Sequence, residues 1–367
     1  MNYKSFIRPD IIDMKPYKPI VPFEVLSRQL GRPPEEIVKL DANENPYGPA
    51  PKAIEAMQNG QYFHIYPDPA ATELREALGR YTQTDPDLLL VGMGADELID
   101  LVLRVVLSPE DRVIDSPPSF GMYPFSTAVN AGQYLTIPRT ADFQMDIPAV
   151  EEAIRTTPNV KVVFACAPNN PDGSMISTAD LERLLALPAL IILDEAYIEF
   201  AAIDGWESRI DWVAQHDNLC VLRTFSKLAG LAGLRVGYGA FPQWLREQMM
   251  KIKQPYNVNV AANLAALGAL QDKAWLNEKV NALVTERKKM AQILTEEIDY
   301  LTPHPSYSNF VLCEVTGRDA GELKLKLQNE YGVLVRHYNK PGLSNYIRIS
   351  AGRPEQTEKL MAALKAV

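Results

Sequence analysis

Apolar runs of three to seven residues recur through the first two thirds of this 367-residue chain, and most lack the polar alternation of a half-exposed strand. They fall at 88–91, 112–114, 133–137, 160–166, 190–193, 219–223 and 235–240, with helix-like periodicity between most of them at 96–107, 120–130, 147–155, 178–187 and 209–215. A strand that is apolar on both faces must be covered on both faces, and helices between such strands supply the cover. The pattern predicts an α/β fold with a mainly parallel, seven-stranded sheet flanked by helices. A further helix is predicted at 70–81. Beyond residue 240 the texture changes to a helical tract at 243–299, then a strand at 309–315, a helix at 320–330, strands at 333–336 and 346–350 and a helix at 355–366. That is a small α+β unit. The first fifty residues are rich in proline, with one helix at 23–30 ending at Gly31, and read as an arm draped over the body. The expected division is an arm at 1–50 that joins the small unit, a large ligand-binding unit at 51–270 and a small unit at 271–367.

Composition narrows the function. A formal charge of -9, with no basic cluster, argues against nucleic acid as a partner. No apolar run approaches a membrane span, and the opening residues lack the apolar core of a signal peptide. Three widely spaced cysteines (Cys166, Cys220, Cys313) exclude a disulfide framework and fit a reducing cytoplasm. Four scattered histidines give no ligand set for a metal.

Two motifs end buried runs with reactive groups. Arg223-Thr224-Phe225-Ser226-Lys227 is followed by a Leu/Ala/Gly stretch and Arg235. A lysine there suits a Schiff base, while Thr224, Ser226 and Arg235 suit a phosphate dianion; an exposed lysine at a strand end is the plainer alternative. The run 190–193 leads into Asp194-Glu195-Ala196-Tyr197. A carboxylate at that end holds a proton on a pyridine nitrogen, or merely caps the next helix, and Tyr197 can bond a phenolic oxygen.

Other turns offer binding groups. In Asn169-Asn170-Pro171-Asp172-Gly173, turn chemistry accounts for the proline and glycine, and either asparagine can face a ligand. Gly92-Met93-Gly94-Ala95-Asp96-Glu97 puts a glycine turn before a helix start, suited to phosphate, although Asp96 also complements the helix dipole. It matches neither a dinucleotide fingerprint nor a P-loop. Phe120 can stack on a flat ring or belong to the core. Arg336 and Arg348, in strands of the small unit, need an anion if buried.

These motifs, with Lys39-Leu40-Asp41-Ala42-Asn43-Glu44-Asn45-Pro46-Tyr47-Gly48-Pro49, Tyr66-Pro67-Asp68-Pro69 and Val335-Arg336-His337-Tyr338, resemble in order and spacing the fold-type I pyridoxal-phosphate enzymes of the aspartate aminotransferase superfamily. Within that group the chain is similar to the histidinol-phosphate aminotransferases. The resemblance implies that Lys227 carries the cofactor aldehyde, that Asp194 pairs with the ring nitrogen and that Tyr197 and Asn170 bond the ring hydroxyl. Phe120 takes the stacking place that often holds tyrosine, and Ala95, Asp96, Thr224, Ser226 and Arg235 match the phosphate cradle. Tyr66 matches a tyrosine that reaches the other subunit's cofactor, implying a homodimer with shared sites. Arg348 matches the receiver of the donor's carboxylate; Tyr17, Asn43, Asn170, Tyr256 and Arg336 match substrate positions, Tyr256 across the dimer. Asp172 departs from the usual threonine, and Pro16-Tyr17-Lys18-Pro19-Ile20 lacks the glycine that commonly follows the second proline. The implied reaction is transamination of L-histidinol phosphate with 2-oxoglutarate in histidine biosynthesis. An aromatic amino acid aminotransferase, a decarboxylase of a phosphorylated amino acid and a non-catalytic cofactor-binding regulator are the competing readings.

Overall fold

The computed structural model describes residues 3–16 and 21–367. Its strands are β1 (Val38–Lys39), β2 (Leu89–Gly92), β3 (Arg112–Asp115), β4 (Gln133–Thr136), β5 (Val160–Cys166), β6 (Leu190–Asp194), β7 (Leu219–Thr224), β8 (Gly237–Ala240), β9 (Leu301–Pro303), β10 (Phe310–Val315), β11 (Val333–Leu334), β12 (Arg336–His337) and β13 (Tyr346–Ser350). Seven form the central sheet, in the order β2-β8-β7-β6-β5-β3-β4. Only β8 runs antiparallel to its neighbours. The expected α/β architecture with a mainly parallel seven-stranded sheet is therefore present. β2, β6 and β7 are buried along their whole length, whereas the edge strand β4 is not.

Strand pleating divides the core. Val163, Ala165, Ile191, Leu193 and Val221 pack into one apolar layer. Their alternates Val162, Phe164, Ile192, Cys220 and Leu222 pack into the layer on the other face. A separate core joins Met290, Leu294, Val311, Cys313, Leu327, Ile347 and Leu364 around the antiparallel sheet β12-β13-β10-β9. The arm enters that unit: β1 pairs in parallel with β11, and Val38 and Leu40 lie in the small core. The helix Lys273–Glu297 serves both, with Leu276, Val280, Leu283 and Val284 in the large core and Met290 and Leu294 in the small one.

Three local departures from the sequence reading have simple causes. A helix not read from the sequence, Pro51–Gln58, begins directly after the arm with Pro51 at its first position, where the missing N–H costs nothing. The segment 209–215 forms a 3₁₀ turn, Ile210–Ala214, not an α-helix. The apolar run 333–336 is split, because β11 pairs with the arm while β12 pairs with β13.

The unexpected helix Pro51–Gln58 packs backbone-close on the helix Val260–Gln271. A Cβ added at Gly268 would lie 2.3 Å from the Lys52 carbonyl oxygen and 2.9 Å from Ala53 Cα. Gly268→Ala gains helix propensity of about 1 kcal/mol but overpacks a contact at a cost of about 1–3 kcal/mol. Since the obstacle is backbone, a net loss of about 1–2 kcal/mol is expected in urea unfolding. An unchanged or raised midpoint would show that the helices do not approach this closely.

Candidate active site

The central strands β2, β3, β5, β6 and β7 point their carboxyl ends toward the small unit, and a cavity of about 370 Å³ opens there. In an open parallel sheet these ends converge loops that are free of ladder hydrogen bonds, so ligand-binding groups collect at them. Asp194 is the last residue of β6 and Thr224 the last of β7, and Lys227 follows on a short helix, Phe225–Leu228. Phe120 precedes the helix Met122–Val129, which leaves its ring free to line the cavity.

The Lys227 amine donates to the Ala42 carbonyl at 3.1 Å. Burial, and then the charge of Arg348, lower its pKa to about 8. Asp194, 4% exposed, accepts the Tyr123 hydroxyl at 2.7 Å and the Ala196 N–H at 3.0 Å. Burial pushes its pKa up to about 6, against those two donors. Asn43, with φ 55°, gives its amide to the Tyr197 hydroxyl at 3.0 Å while its oxygen accepts from Ser350 at 2.9 Å. Burial likewise pushes the Tyr197 phenol up, so it remains a hydroxyl.

A second cluster suits a dianion. The twelve-residue helix Ala95–Val106 presents its N-terminus to the cavity beside Thr224, Ser226 and Arg235. The approach is close: a Cβ at Gly237 would lie 2.6 Å from the Ala95 nitrogen, and one at Gly94 2.8 Å from an Arg235 guanidinium nitrogen. Arg235 has φ 53° and precedes β8, which turns it back onto Asp96 at 2.8 Å. Thr224 donates to the Ser226 hydroxyl at 3.0 Å and accepts the Ser226 N–H at 3.1 Å.

The small unit contributes cations. Arg336 and Arg348 are directly opposed on β12 and β13, so both side chains stand on one face, and both line the cavity. Like charges opposite one another are unfavourable without a counterion. Among the described residues neither guanidinium makes an ion pair; Arg348 donates to Asn170 Oδ1 at 2.6 Å and to the Asp41 carbonyl at 2.8 Å, and its Nε is buried without a partner.

Ala95, Asp96, Phe120, Asn170, Asp194, Tyr197, Thr224, Ser226, Lys227, Arg235, Asn43, Arg336 and Arg348 thus border one cavity. The choice between the two asparagines is settled: Asn170 faces the cavity, while Asn169 donates to Pro118 and Asp172 and holds the turn. Tyr66 and Tyr256 do not line it. They stack on each other, centroids 4.6 Å apart, on an exposed patch with Phe63 and Ile65. Tyr17 lies outside the described residues. Sequence reading did not assign Tyr123 a role; it is fully buried against Phe164 at 4.3 Å, and no local pattern separates it from a core ring. Ser119 and Tyr134 were also unassigned, and both line the cavity. A pyridine ring with a phosphate fits the donor set: a carboxylate for the ring nitrogen, a desolvated amine for the aldehyde and a helix N-terminus with arginine for the dianion.

Residues 35–364 match the family described as aminotransferase class I and II. The chain is 52% identical over 362 residues, 98% of its length and 85% of the relative's, to histidinol-phosphate aminotransferase 1, chloroplastic, of Arabidopsis thaliana. It is 45% identical to the histidinol-phosphate aminotransferase of Roseiflexus castenholzii, covering 99% of this chain and 98% of that one. A crystal structure of histidinol-phosphate aminotransferase from Sinorhizobium meliloti in complex with pyridoxal-5'-phosphate superposes with a TM-score of 0.89 at 30% identity, over 99% of this chain and 97% of that one.

The environment of Lys227 makes a prediction that needs no cofactor. A lysine with lowered pKa is ammonium below that value and free amine above it, so acylation of Lys227 in cofactor-free protein should rise with pH through a midpoint near 8. Surface lysines should follow at distinctly higher pH. Arg348→Met should raise the midpoint. Quantitative peptide mapping reads both, and a Lys227 midpoint among the surface lysines would contradict the enclosure described above.

Proposed function

The chain belongs to the class I and II aminotransferase family, and on that premise we propose that it is a pyridoxal-phosphate-dependent transaminase acting on L-histidinol phosphate. The amino group passes to 2-oxoglutarate, giving imidazole-acetol phosphate and glutamate, a step of histidine biosynthesis. The observation that carries the substrate reading is the facing pair Arg336 and Arg348, two cations that make no ion pair among the described residues, in the cavity that holds Lys227. Each substrate brings anionic groups that such a pair neutralises: a phosphate in one case, carboxylates in the other.

Bound through Lys227, the cofactor supplies an aldehyde that takes up the amine and a protonated ring that withdraws electrons from the substrate Cα. Asp194 holds the proton on the ring nitrogen, and Tyr123 keeps that carboxylate oriented. Tyr197 and Asn170 offer hydrogen bonds to the ring oxygen, Phe120 offers its ring for stacking, and Ala95, Asp96, Thr224, Ser226 and Arg235 hold the phosphate. Lys227, once its nitrogen is free, would take the Cα proton and give one back to the carbon that the cofactor's aldehyde supplies; an amine with pKa near 8 exchanges protons readily at neutral pH. Asn43 steadies Tyr197, and Tyr17 is assigned to the substrate's anionic end by resemblance alone. The cytoplasm is the proposed compartment, supported by three buried, free cysteines. Among the described residues no helix is long and apolar enough to cross a membrane.

A homodimer with shared sites completes this reading. Its support is the exposed stack of Tyr66 (78% exposed) on Tyr256 (42%), beside Tyr62, Phe63 and Ile65. An apolar patch of this kind on a chain whose cavity lacks both tyrosines suits a surface that meets a second copy. Lys227→Ala and Tyr66→Ala chains, each deficient alone, should regain activity when mixed under subunit exchange, because one site of the heterodimer then has every group intact. A full-activity monomer at working dilution would exclude the arrangement.

The reaction is tested by following cofactor absorbance in each half-reaction separately. Histidinol phosphate, glutamate and phenylalanine are offered to the holoenzyme in turn. Histidinol phosphate should give the highest kcat/KM; a strong preference for phenylalanine would install the aromatic aminotransferase instead. A net charge-assisted hydrogen bond contributes about 1.5–3 kcal/mol, so Arg348→Ala should lower kcat/KM on the order of tenfold to a hundredfold in both half-reactions. Arg336→Lys keeps the charge but loses the planar fork, and should weaken histidinol phosphate appreciably.

A further inference from the structure

The cavity wall also carries a hydrogen-bonded group that none of the roles above uses. Asp115 ends β3 and is 2% exposed. The hydroxyls of Ser119 and Tyr134 both donate to its Oδ2, and burial raises its pKa. Among the described residues Asp115 makes no ion pair, so these hydroxyls are the side-chain donors that compensate its burial. Ser119 lies four residues beyond Asp115 in the loop that carries Phe120, and Tyr134 projects from the neighbouring strand β4. Both hydroxyl-bearing residues line the cavity that holds Lys227 and the two arginines.

The chemistry of this wall is one-sided. An ionised carboxylate only accepts, so a hydroxyl that serves it has its single proton committed inward. What remains toward the cavity is lone pairs. The lining also includes Pro118, Phe120, Gly121, Pro124 and Leu343, whose side chains are apolar or absent and bring no donor of their own. Resting on the functional reading above, we propose that Ser119 and Tyr134, polarised by Asp115, form the specificity subsite for the imidazole ring of the substrate, accepting a hydrogen bond from a ring N–H. A ring that is flat, partly apolar and carries one N–H donor matches such a wall. A phenyl ring of similar size leaves both oxygens unpaired, and a site built around a hydrogen bond discriminates strongly against an analogue that lacks it. Ser119 and Tyr134 touch the ligand in this scheme, whereas Asp115 positions their protons.

The test compares two amino donors that differ only in the ring, histidinol phosphate and its phenyl analogue, with glutamate as the ringless control, using holoenzyme and single half-reactions. Wild type should favour the imidazole donor over the phenyl analogue by at least about tenfold in kcat/KM. Tyr134→Phe keeps the ring packing and removes the acceptor; it should lower that preference to within about threefold, mainly through KM, and leave the glutamate half-reaction within about twofold. Ser119→Ala should shift the preference in the same direction, and it carries the test if the tyrosine variant fails to fold. A wild type active on histidinol phosphate whose ring preference survives both substitutions overturns this inference alone. So does an equal fall with all three donors, which would mark the group as a scaffold. A wild type inert toward histidinol phosphate overturns the functional reading and this inference with it.

Discussion

Withdrawing one amine from water is the constraint on which the architecture turns. A lysine on an open strand end stays ammonium; Lys227 has its pKa lowered to about 8 because protein surrounds it and because Arg348 repels a second positive charge. Neither condition can be met by the large sheet alone, whose strand ends form a floor. The roof comes from the small unit, and with it both arginines on β12 and β13. The helix Lys273–Glu297, roughly 37 Å long at 1.5 Å per residue, belongs to both cores and ties the floor to the roof. The arm contributes through β1, which adds to the small unit and carries Asp41 to Asn43 to the cavity edge.

Asp194 meets the opposite problem. Burial drives its carboxyl toward the neutral form, at about 6, while the Tyr123 hydroxyl and the Ala196 N–H favour the anion. The balance leaves a carboxylate above about pH 6 and an ammonium on Lys227 below about pH 8. At neutral pH the cavity therefore holds a carboxylate at the end of the sheet strand and a readily exchanged proton on the enclosed amine. Tyr123 holds the Asp194 carboxylate from inside the core, stacked on Phe164 in one of the two apolar layers of the large sheet.

How much of this was legible in the sequence depends on whether the cause is local. Strands such as 160–166 and 190–193 declare themselves, because burial on both faces leaves a nearly unbroken apolar run, with Lys161 the one polar position. Asp194 ends β6, Lys227 lies just beyond β7 and Arg235 just before β8, where topology forces convergence; place and chemistry made them candidates, and the resemblance supplied the proposed roles. Tyr123 and the Asp115 group were illegible for the reverse reason. A buried tyrosine looks like core until its hydroxyl is seen on Asp194, and Tyr134 comes near Ser119 only through the pairing of β3 with β4. The helix Pro51–Gln58 was missed because a proline serves equally in an irregular stretch and at the first position of a helix. The split of β11 from β12 is decided by partners nearly three hundred residues away in one case and about ten in the other.

The cavity lining carries polar groups of two opposite senses. Arg336 and Arg348 offer only protons; the oxygens of Ser119 and Tyr134, their own protons held by Asp115, offer only lone pairs. A molecule with an anion at one end and an N–H donor at the other is oriented by both, and reversing it would set the anion beside a buried carboxylate. A dicarboxylate lacks the second feature and is held by the arginines alone. One cavity can therefore accept two substrates of different length without moving its reactive groups, since the arginines are shared and the acceptor wall engages only the substrate with a ring. The arrangement separates the two demands physically: anion binding rests on the small sheet, ring recognition on the large one, and Lys227 lies in the cavity that both enclose.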